Sequence, residues 1–117
     1  MKDKYVGKRK QIEQFIKFFN FKNIKIIDKD ATTLKSSFFH KKKFSLAYFD
    51  MALYEPTKAA LEAIQPHLLP GSIIMLDEFN NRDYPGETIA FKEVFKDIRY
   101  KVKKSKFMTD RTFIIVE

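Results

Sequence analysis

The sequence predicts an α/β fold with a parallel sheet, and two observations in the middle of the chain support this prediction. Two short apolar runs, residues 45–49 and 73–76, flank a helical pattern. Both runs are apolar along their length, as strands buried in a parallel sheet must be. The first run ends on Asp50 and the second on Asp77-Glu78. Because ligands bind at the carboxyl ends of strands in such sheets, these acids are the first candidates for a functional site.

The pattern between the two runs indicates the connecting helix. Pro56 suits the first turn of a helix, because proline has no N–H group to leave unpaired there. Apolar residues then recur at helical spacing and form one face, namely Ala59, Ala60, Ala63, Ile64 and Leu68. Pro66 weakens the last turn, and Pro70-Gly71 ends the segment. A helix between two apolar strands is the connection that parallel neighbours require.

The remaining elements extend this unit to a Rossmann-like layout. Along the chain we expect a helix at 8–20, a strand at 23–27, a short helix within 31–39, a helix at 86–97, a polar edge strand at 99–107, a turn at 109–111 and a strand at 112–116. The short spacing of the last two strands predicts an antiparallel hairpin. Residues 1–117 should therefore form one Rossmann-like α/β domain, a three-layer sandwich.

Two of these helices carry apolar faces whose burial the pattern predicts. In the helix at 8–20 the face consists of Ile12, Phe15, Ile16 and Phe19. In the helix at 86–97 it consists of Ile89, Ala90 and Val94, with Phe91 and Phe95 beside them. The N-terminal half has more phenylalanine than one helix face can bury. The excess is either ordinary overspill or a surface that pairs with another chain.

Composition and charge limit the classes of function. The chain has 117 residues, no cysteine and no apolar run that could cross a bilayer, which fits a cytoplasmic protein without disulfides or thiolate chemistry. The net charge of +8 divides into +9 for residues 1–44, −5 for 45–94 and +4 for 95–117. The basic ends could attract nucleic acid, but charged runs such as Lys41-Lys42-Lys43 are usually solvated. A nucleic-acid-binding module is therefore the weakest of three hypotheses.

The acids at the two strand ends predict a site for a hard cation. Carboxylates on adjacent parallel strands converge at one edge of the sheet, and oxygen ligands suit Mg²⁺ or Ca²⁺. The candidate ligands are Asp50, Asp77 and Glu78. The alternative is that these acids only cap neighbouring helices, and the sequence weighs the two equally.

Other catalytic arrangements lack the residues that they need. An apolar strand ending in Asp77-Glu78 is also typical of P-loop ATPases, but glycines at only positions 7, 71 and 86 cannot form a phosphate-binding loop. The two histidines, His40 and His67, form no zinc cluster, and no serine lies in a nucleophile turn. His67 is expected at a helix C-terminus rather than as a catalytic base.

Two stretches resemble a known family. They are FDMALYEPTKAALEAIQPHLLPGSIIMLDEFN at 49–80 and YPGETIAFKEVF at 84–95. An Asp followed by Leu-Tyr-Glu-x-Thr, a helix, Pro-Gly and a strand ending in two acids is similar to the class I S-adenosylmethionine-dependent methyltransferases. The resemblance is to their metal-dependent sugar and macrolide O-methyltransferase group, typified by macrocin O-methyltransferase, and extends over nearly the whole chain.

The resemblance implies roles for five residues. Asp50 would be a metal ligand and general base, and Asp77 and Glu78 would complete the ligands of a Mg²⁺ that orients two hydroxyls of a sugar-like acceptor. Asp30 and Ala31 would lie beside the adenine of S-adenosylmethionine. The chain departs from the group at Ala52, where a second Asp is common.

A larger departure is that the family's glycine-rich donor-binding loop has no counterpart. The chain is therefore expected to correspond to the C-terminal part of a methyltransferase, as a single truncated domain. Loss of the family's first strand would leave the edge of strand 45–49 open. The edge could be covered by strand 23–27, by a second copy of the chain in a dimer or other homo-oligomer, or by the rest of a longer protein.

Two functional hypotheses lead. The first is an O-methyltransferase, or part of one, that acts on a small sugar-like molecule with S-adenosylmethionine and Mg²⁺. The second is a non-catalytic remnant of the fold that serves as an oligomerisation or interaction module.

Overall fold

The computed structural model describes residues 8–108 and 111–117, which contain three α-helices and a four-stranded mixed sheet. The α-helices are α1 (Arg9–Phe18), α2 (Tyr54–Ile64) and α3 (Gly86–Val94), the strands are β1 (Phe44–Phe49), β2 (Leu68–Leu76), β3 (Tyr100–Lys104) and β4 (Thr112–Val116), and short 3₁₀ helices lie at Ala31–Thr33, Ser36–Phe39 and Gln65–His67. Within the described ranges, no helix has the length and apolar character needed to span a bilayer. The cytoplasmic location stays a prediction.

The sheet has the strand order β1-β2-β4-β3. β1 and β2 are parallel, with Phe49 opposite Leu76, and α2 connects them as predicted. β4 runs antiparallel to both β2 and β3. The predicted α/β class and the C-terminal hairpin are therefore confirmed. Of the predicted turn at 109–111, Thr109 and Asp110 lie outside the described residues.

The core lies between one face of this sheet and the helices α2 and α3. Its buried residues come from all three parts: Phe49, Ala60, Leu61, Ile64, Ile74, Leu76, Ala90, Phe91, Phe95, Ile114 and Val116. The rings of Phe91 and Phe95 stack with their centroids 4.6 Å apart. Full burial of such a side chain contributes about 1.5–3 kcal/mol, so this face fixes how α3 packs.

The opposite face of the sheet is covered much less. Side chains alternate along a strand, and the residues of β1 that point away from the core, Leu46 and Tyr48, are 56% and 54% exposed. α1 buries none of its residues and so adds no covering layer. The described residues therefore form two layers, and the third layer of the predicted sandwich is not formed by them.

The predicted strand at 23–27 was wrong. This segment has no regular secondary structure and pairs with no strand among residues 8–108 and 111–117. Ile24 and Ile27 are consequently half exposed, at 50% and 47%. An apolar run becomes a strand only where a neighbouring strand supplies hydrogen bonds, and none of the four described strands pairs with this segment.

The predicted burial of the face on α1 was also wrong. Ile12, Phe15 and Phe19 are 47%, 57% and 52% exposed. The aromatic residues contact one another instead, with ring centroids 4.6 Å apart for Phe15 and Phe19 and 6.3 Å apart for Phe15 and Phe21. The helical periodicity is confirmed, but none of the described elements packs closely against this face.

Several boundaries and the orientation of one side chain differ from the prediction. α3 turns Ile89 towards solvent, at 47% exposure, whereas Ala90 and Phe91 are fully buried. β2 begins at Leu68 rather than at residue 73, because Leu68 pairs with Phe44 before a bulge around Pro70-Gly71. In place of one short helix within 31–39 there are two 3₁₀ turns, and β3 is shorter than the predicted strand at 99–107.

Candidate active site

The predicted acids lie on the loops that follow the two parallel strands. Asp50 follows β1 and is exposed, whereas Asp77 and Glu78 follow β2 and are partly buried. The backbone N–H of Asp77 donates to the carbonyl oxygen of Phe49 at 2.9 Å. This hydrogen bond extends the ladder past the end of β2, so the two loops leave the sheet side by side.

A buried carboxylate that the sequence reasoning missed joins these loops. Glu87, in the first turn of α3, is fully buried. One of its carboxylate oxygens accepts hydrogen bonds from the backbone N–H groups of Met51 and Ala52, at 3.0 and 2.9 Å. The other accepts from the backbone N–H of Glu78 at 3.0 Å. Glu87 therefore fixes the loop after β1 and the loop after β2 to one point on α3.

The loop after β1 needs this support because its backbone is strained. Ala52 has a φ of 57°, a left-handed conformation that is unfavourable for a residue with a Cβ atom. Such strain persists only where neighbouring groups hold the backbone in place. The hydrogen bond to Glu87 is that restraint, and it also sets the position of Asp50 two residues earlier.

Close packing at the start of α3 brings Glu87 within reach of the loops. A Cβ atom added to Gly86 would lie 2.6 Å from the backbone nitrogen of Tyr54 and 3.0 Å from the carbonyl carbon of Leu53. Both distances are shorter than van der Waals contact, so this position requires glycine. Gly86 thus permits α3 to begin directly against the connector between β1 and α2.

Asp77 is held by two partners that were not predicted. The guanidinium of Arg111 donates both to its carboxylate and to its backbone carbonyl oxygen. The hydroxyl of Tyr48 donates to the same carboxylate at 2.6 Å. This hydrogen bond, reinforced by desolvation and the negative charge of Asp77, raises the pKa of Tyr48.

Glu78 faces the adjoining loop. Its carboxylate accepts a hydrogen bond from the side-chain amide of Asn81, and the backbone N–H of Asn80 donates to the hydroxyl of Thr88 at 2.7 Å. An open cavity of about 360 Å³ lies beside Glu78 and is lined by Asp77, Glu78, Phe79, Asn80, Asn81 and Arg111. Asp50 lies outside this lining.

The three predicted metal ligands do not fit a Mg²⁺ ion in this arrangement. Within the described part of the chain, no three His, Cys, Asp or Glu side chains are grouped closely enough to hold one. Asp77 is paired with the guanidinium of Arg111, a cation already beside the carboxylate, and Glu78 is bonded to Asn81. The ligand set Asp50, Asp77 and Glu78 stays a prediction.

The predicted donor-binding residues lie on a separate turn. Asp30 caps the 3₁₀ helix Ala31–Thr33, and its carboxylate accepts from the N–H and the hydroxyl of Thr32 at 2.9 and 2.7 Å. These hydrogen bonds lower the pKa of Asp30. The turn packs against α2, whereas the acids Asp50 and Asp77 lie on the loops after β1 and β2.

His67 has a structural role, as expected. It is buried at the end of the 3₁₀ helix Gln65–His67. Its Nδ1 lies 2.8 Å from the carbonyl oxygen of Lys42, and its Nε2 lies 2.9 Å from the hydroxyl of Ser36. Both ring nitrogens are thus engaged within the fold.

Comparison with solved structures identifies the class of protein that this fold resembles. The fold that contains the parallel β1–α2–β2 unit and the antiparallel hairpin matches solved structures of a class I methyltransferase, which confirms the predicted resemblance. The chain therefore has an O-methyltransferase-like fold. Two of the matching structures are of CalS11, a TDP-rhamnose 3'-O-methyltransferase of calicheamicin biosynthesis.

Two structures of CalS11 give nearly the same result. The apo structure is 34% identical in sequence and has a TM-score of 0.66. The aligned region covers 76% of this chain and 39% of the CalS11 chain. A second CalS11 structure is 33% identical and has a TM-score of 0.64. The aligned region covers 76% of this chain and 36% of that CalS11 chain. The match thus spans less than two fifths of the length of CalS11. No protein-family model and no curated protein sequence matches the chain.

Proposed function

We propose that the chain is an S-adenosylmethionine-dependent O-methyltransferase, or part of one, that acts on a hydroxylated, sugar-like molecule. The sequence and fold similarity to CalS11, whose name describes transfer to the 3'-oxygen of TDP-rhamnose, supports this substrate class. The observation that carries the proposal is the buried Glu87 carboxylate, which holds the loops bearing Asp50 and Glu78 at one edge of the sheet.

In the proposed reaction Asp50 is the general base. Asp50 is exposed at the end of β1, so an acceptor that binds there from solvent can place its hydroxyl next to the carboxylate. Asp50 takes the proton as the acceptor oxygen gains a methyl group and a carbon–sulfur bond breaks, leaving a neutral thioether. S-adenosylmethionine supplies that methyl group when bound, and Asp30 and Ala31 are the proposed contacts to its adenine. The fixed loop of Asp50 orients its carboxylate before the acceptor arrives.

Binding of Mg²⁺ by Asp50, Asp77 and Glu78 is a separate hypothesis, to be tested by titrating the chain with Mg²⁺. The carboxylate of Asp77 contacts Arg111 and Tyr48 as the loops stand. A metal ion would have to replace Arg111 before Asp50, Asp77 and Glu78 could bind it together. No step of the proposed reaction therefore passes through a metal.

The experiment combines donor binding with methyl transfer. Calorimetric titration of S-adenosylmethionine into the purified chain should show saturable binding, and labelled methyl should be transferred to TDP-rhamnose. Asp50→Asn should lower the transfer rate by about 100-fold or more, the usual contribution of a general base, and leave donor binding unchanged. Asp83→Asn, which changes an exposed acid on a neighbouring loop, is the matched control.

Two outcomes would count against the proposal. Absence of both donor binding and transfer would refute it for this chain and would favour the interaction-module hypothesis. Transfer that Asp50→Asn leaves unchanged would remove Asp50 from the reaction while keeping the methyltransferase assignment.

A further inference from the structure

A cavity of about 550 Å³ lies at the amino end of β1, and its volume is typical of small-molecule sites. Phe44, the first residue of β1, lines it, whereas Asp50 follows the other end of the strand. β1 has six residues, so its two ends lie about 20 Å apart. Asp30 and Ala31, the proposed contacts to the methyl donor, are not part of the lining. The cavity is therefore separate from the candidate active site.

The ionisable side chains that line this cavity are all basic. They are those of His40 and of four lysines, namely Lys25, Lys29, Lys35 and Lys42. The two acids of the adjoining segment are engaged elsewhere: the carboxylate of Asp28 lies 3.9 Å from the guanidinium of Arg9, and that of Asp30 accepts hydrogen bonds from Thr32. Within the described part of the chain, the cavity thus gathers positive charge without an acid in its wall. Such a concave surface attracts an anion.

Aromatic rings form the apolar part of the wall. Phe38 is 37% exposed, and the Nζ of Lys29 lies 5.4 Å from the centroid of its ring. Phe39 packs edge-to-face against both Phe38 and Phe44, with centroids 5.2 and 5.0 Å apart. Ser37 adds a hydroxyl group. An accessible ring beside ammonium groups suits a ligand that joins a flat aromatic ring to phosphate groups, because the ring can stack while the ammonium groups bind the phosphates.

The buried imidazole of His67 fixes the wall of the cavity that precedes β1. Its Nδ1 lies 2.8 Å from the carbonyl oxygen of Lys42, and its Nε2 lies 2.9 Å from both the hydroxyl and the carbonyl oxygen of Ser36. The segment between Ser36 and Lys42, which supplies this wall, is therefore held at both ends. A site that is ordered before its ligand arrives loses less conformational entropy on binding.

Within this wall His40 has a backbone conformation that normally requires glycine. Its φ and ψ are 51° and −124°, and the N–H of Lys42 donates to the carbonyl oxygen of Phe39 at 3.1 Å across the turn. These angles are those of the second residue of a type II′ turn, where a Cβ atom is unfavourable. Backbone strain of this kind is typical of ligand-binding sites, and the side chain of His40 lies in the cavity wall.

We propose that this cavity binds a nucleoside diphosphate, with the base against Phe38 and the phosphates among the lysines. The cationic lining selects the phosphates, and the exposed ring selects the base. A cavity of about 550 Å³ encloses a single nucleotide, whereas single-stranded nucleic acid needs a groove along which several bases stack.

Calorimetric titration of the purified chain with ADP tests this assignment, with adenosine and inorganic diphosphate as matched probes. ADP should bind saturably and at least tenfold more tightly than either probe, because each probe lacks one half of the ligand. Lys35→Gln and Lys42→Gln should each weaken ADP binding by about tenfold, the effect of losing a hydrogen bond to a charged group. Lys92→Gln, at an exposed position on α3, is the control and should leave ADP affinity unchanged.

His40→Gly separates a binding role from a purely structural one. Glycine relieves the strain at this position, so the urea midpoint should rise while the affinity for ADP falls. A turn without a binding role would gain stability and leave the affinity for ADP unchanged.

Four results would overturn the proposal: no ADP binding at millimolar concentration, equal binding of inorganic diphosphate and ADP, an unchanged ADP affinity in Lys35→Gln, Lys42→Gln and His40→Gly, or tighter binding of a single-stranded oligonucleotide. Saturating S-adenosylmethionine should leave ADP binding unchanged, and competition between the two would instead make this cavity the donor site. Absence of methyl transfer would leave the ADP site standing, and absence of ADP binding would leave the proposed transfer standing.

Discussion

Replacing Glu87 with glutamine should destabilise the fold far more than an ordinary surface substitution. Glu87→Gln keeps the shape of the side chain but turns one acceptor oxygen into an NH₂ donor. Its carboxylate receives three backbone N–H groups, two on one oxygen and one on the other. Even if the remaining oxygen keeps the pair from Met51 and Ala52, the N–H of Glu78 faces another donor.

The expected cost follows from this lost contact. A hydrogen bond to a charged group contributes about 1.5–3 kcal/mol, and a buried donor without a partner costs about 1–3 kcal/mol. We therefore expect the free energy of unfolding to fall by about 3 kcal/mol, a large part of the roughly 5–15 kcal/mol of a domain. With a urea m-value of about 2 kcal/mol/M, the midpoint should fall by about 1.5 M.

Urea unfolding followed by circular dichroism measures this change. Glu62→Gln, at an exposed position on α2, is the control and should stay within about 0.5 kcal/mol of the parent. A midpoint for Glu87→Gln that matches the control would show that the carboxylate does not hold the two loops, and would weaken the account of the site.

Three further predictions concern the same region. Gly86→Ala should destabilise by about 1–3 kcal/mol through overpacking against Tyr54, although alanine usually favours a helix. Millimolar Mg²⁺ should leave the melting temperature of the chain unchanged, and Arg111→Gln should let Mg²⁺ raise it by freeing Asp77. Tyr48 should titrate above its ordinary pKa, since its hydroxyl donates a hydrogen bond to the carboxylate of Asp77 in the folded state. The stability that this hydrogen bond gives is present below the unfolded pKa of about 10 and is lost as the pH rises through the higher folded pKa.

Each of these three predictions can be tested by its own measurement, and each has an outcome that would contradict it. For Gly86, thermal or urea unfolding would contradict the prediction if Gly86→Ala stabilised the chain. For the metal, a response of the unmodified chain that Asp77→Asn abolishes would support the predicted ligand set. For Tyr48, tyrosinate absorbance should lose one high-pH transition in Tyr48→Phe, and an unshifted transition would contradict the hydrogen bond.

The parts of the fold that the sequence predicts best depend on local patterns. The sequence predicts β1, α2 and the C-terminal half of β2 correctly. The signals for them, namely the spacing of apolar residues and Pro56 in the first helical turn, lie within a few residues of each element. The start of β2 at Leu68 was missed because Pro70-Gly71 resembles a turn, yet Leu68 pairs with Phe44 before the bulge. Pairing with a distant segment decided that boundary.

The site was predictable only in part, for a similar reason. Asp50, Asp77 and Glu78 were found because acids directly follow apolar strands. Glu87 and Arg111 were missed because most of their hydrogen-bond partners lie more than thirty residues away in the sequence; Glu78, a partner of Glu87, is the exception. The residues next to Glu87 and Arg111 give no sign of these contacts. A glutamate in the first turn of a helix reads as an ordinary helix-dipole contact. Its burial is set by the close approach of α3 at Gly86.

The unburied face of α1 has a consequence for how the chain opens and closes. A ten-residue helix is marginal in water unless other elements pack against it. Its amide protons should therefore exchange through local opening at a small fraction of the global unfolding free energy, while those of α2 exchange only when the core itself opens. The helix with the most regular amphipathic spacing in the sequence is thus the one whose opening leaves the core intact. Its exchange rates would report on that segment alone.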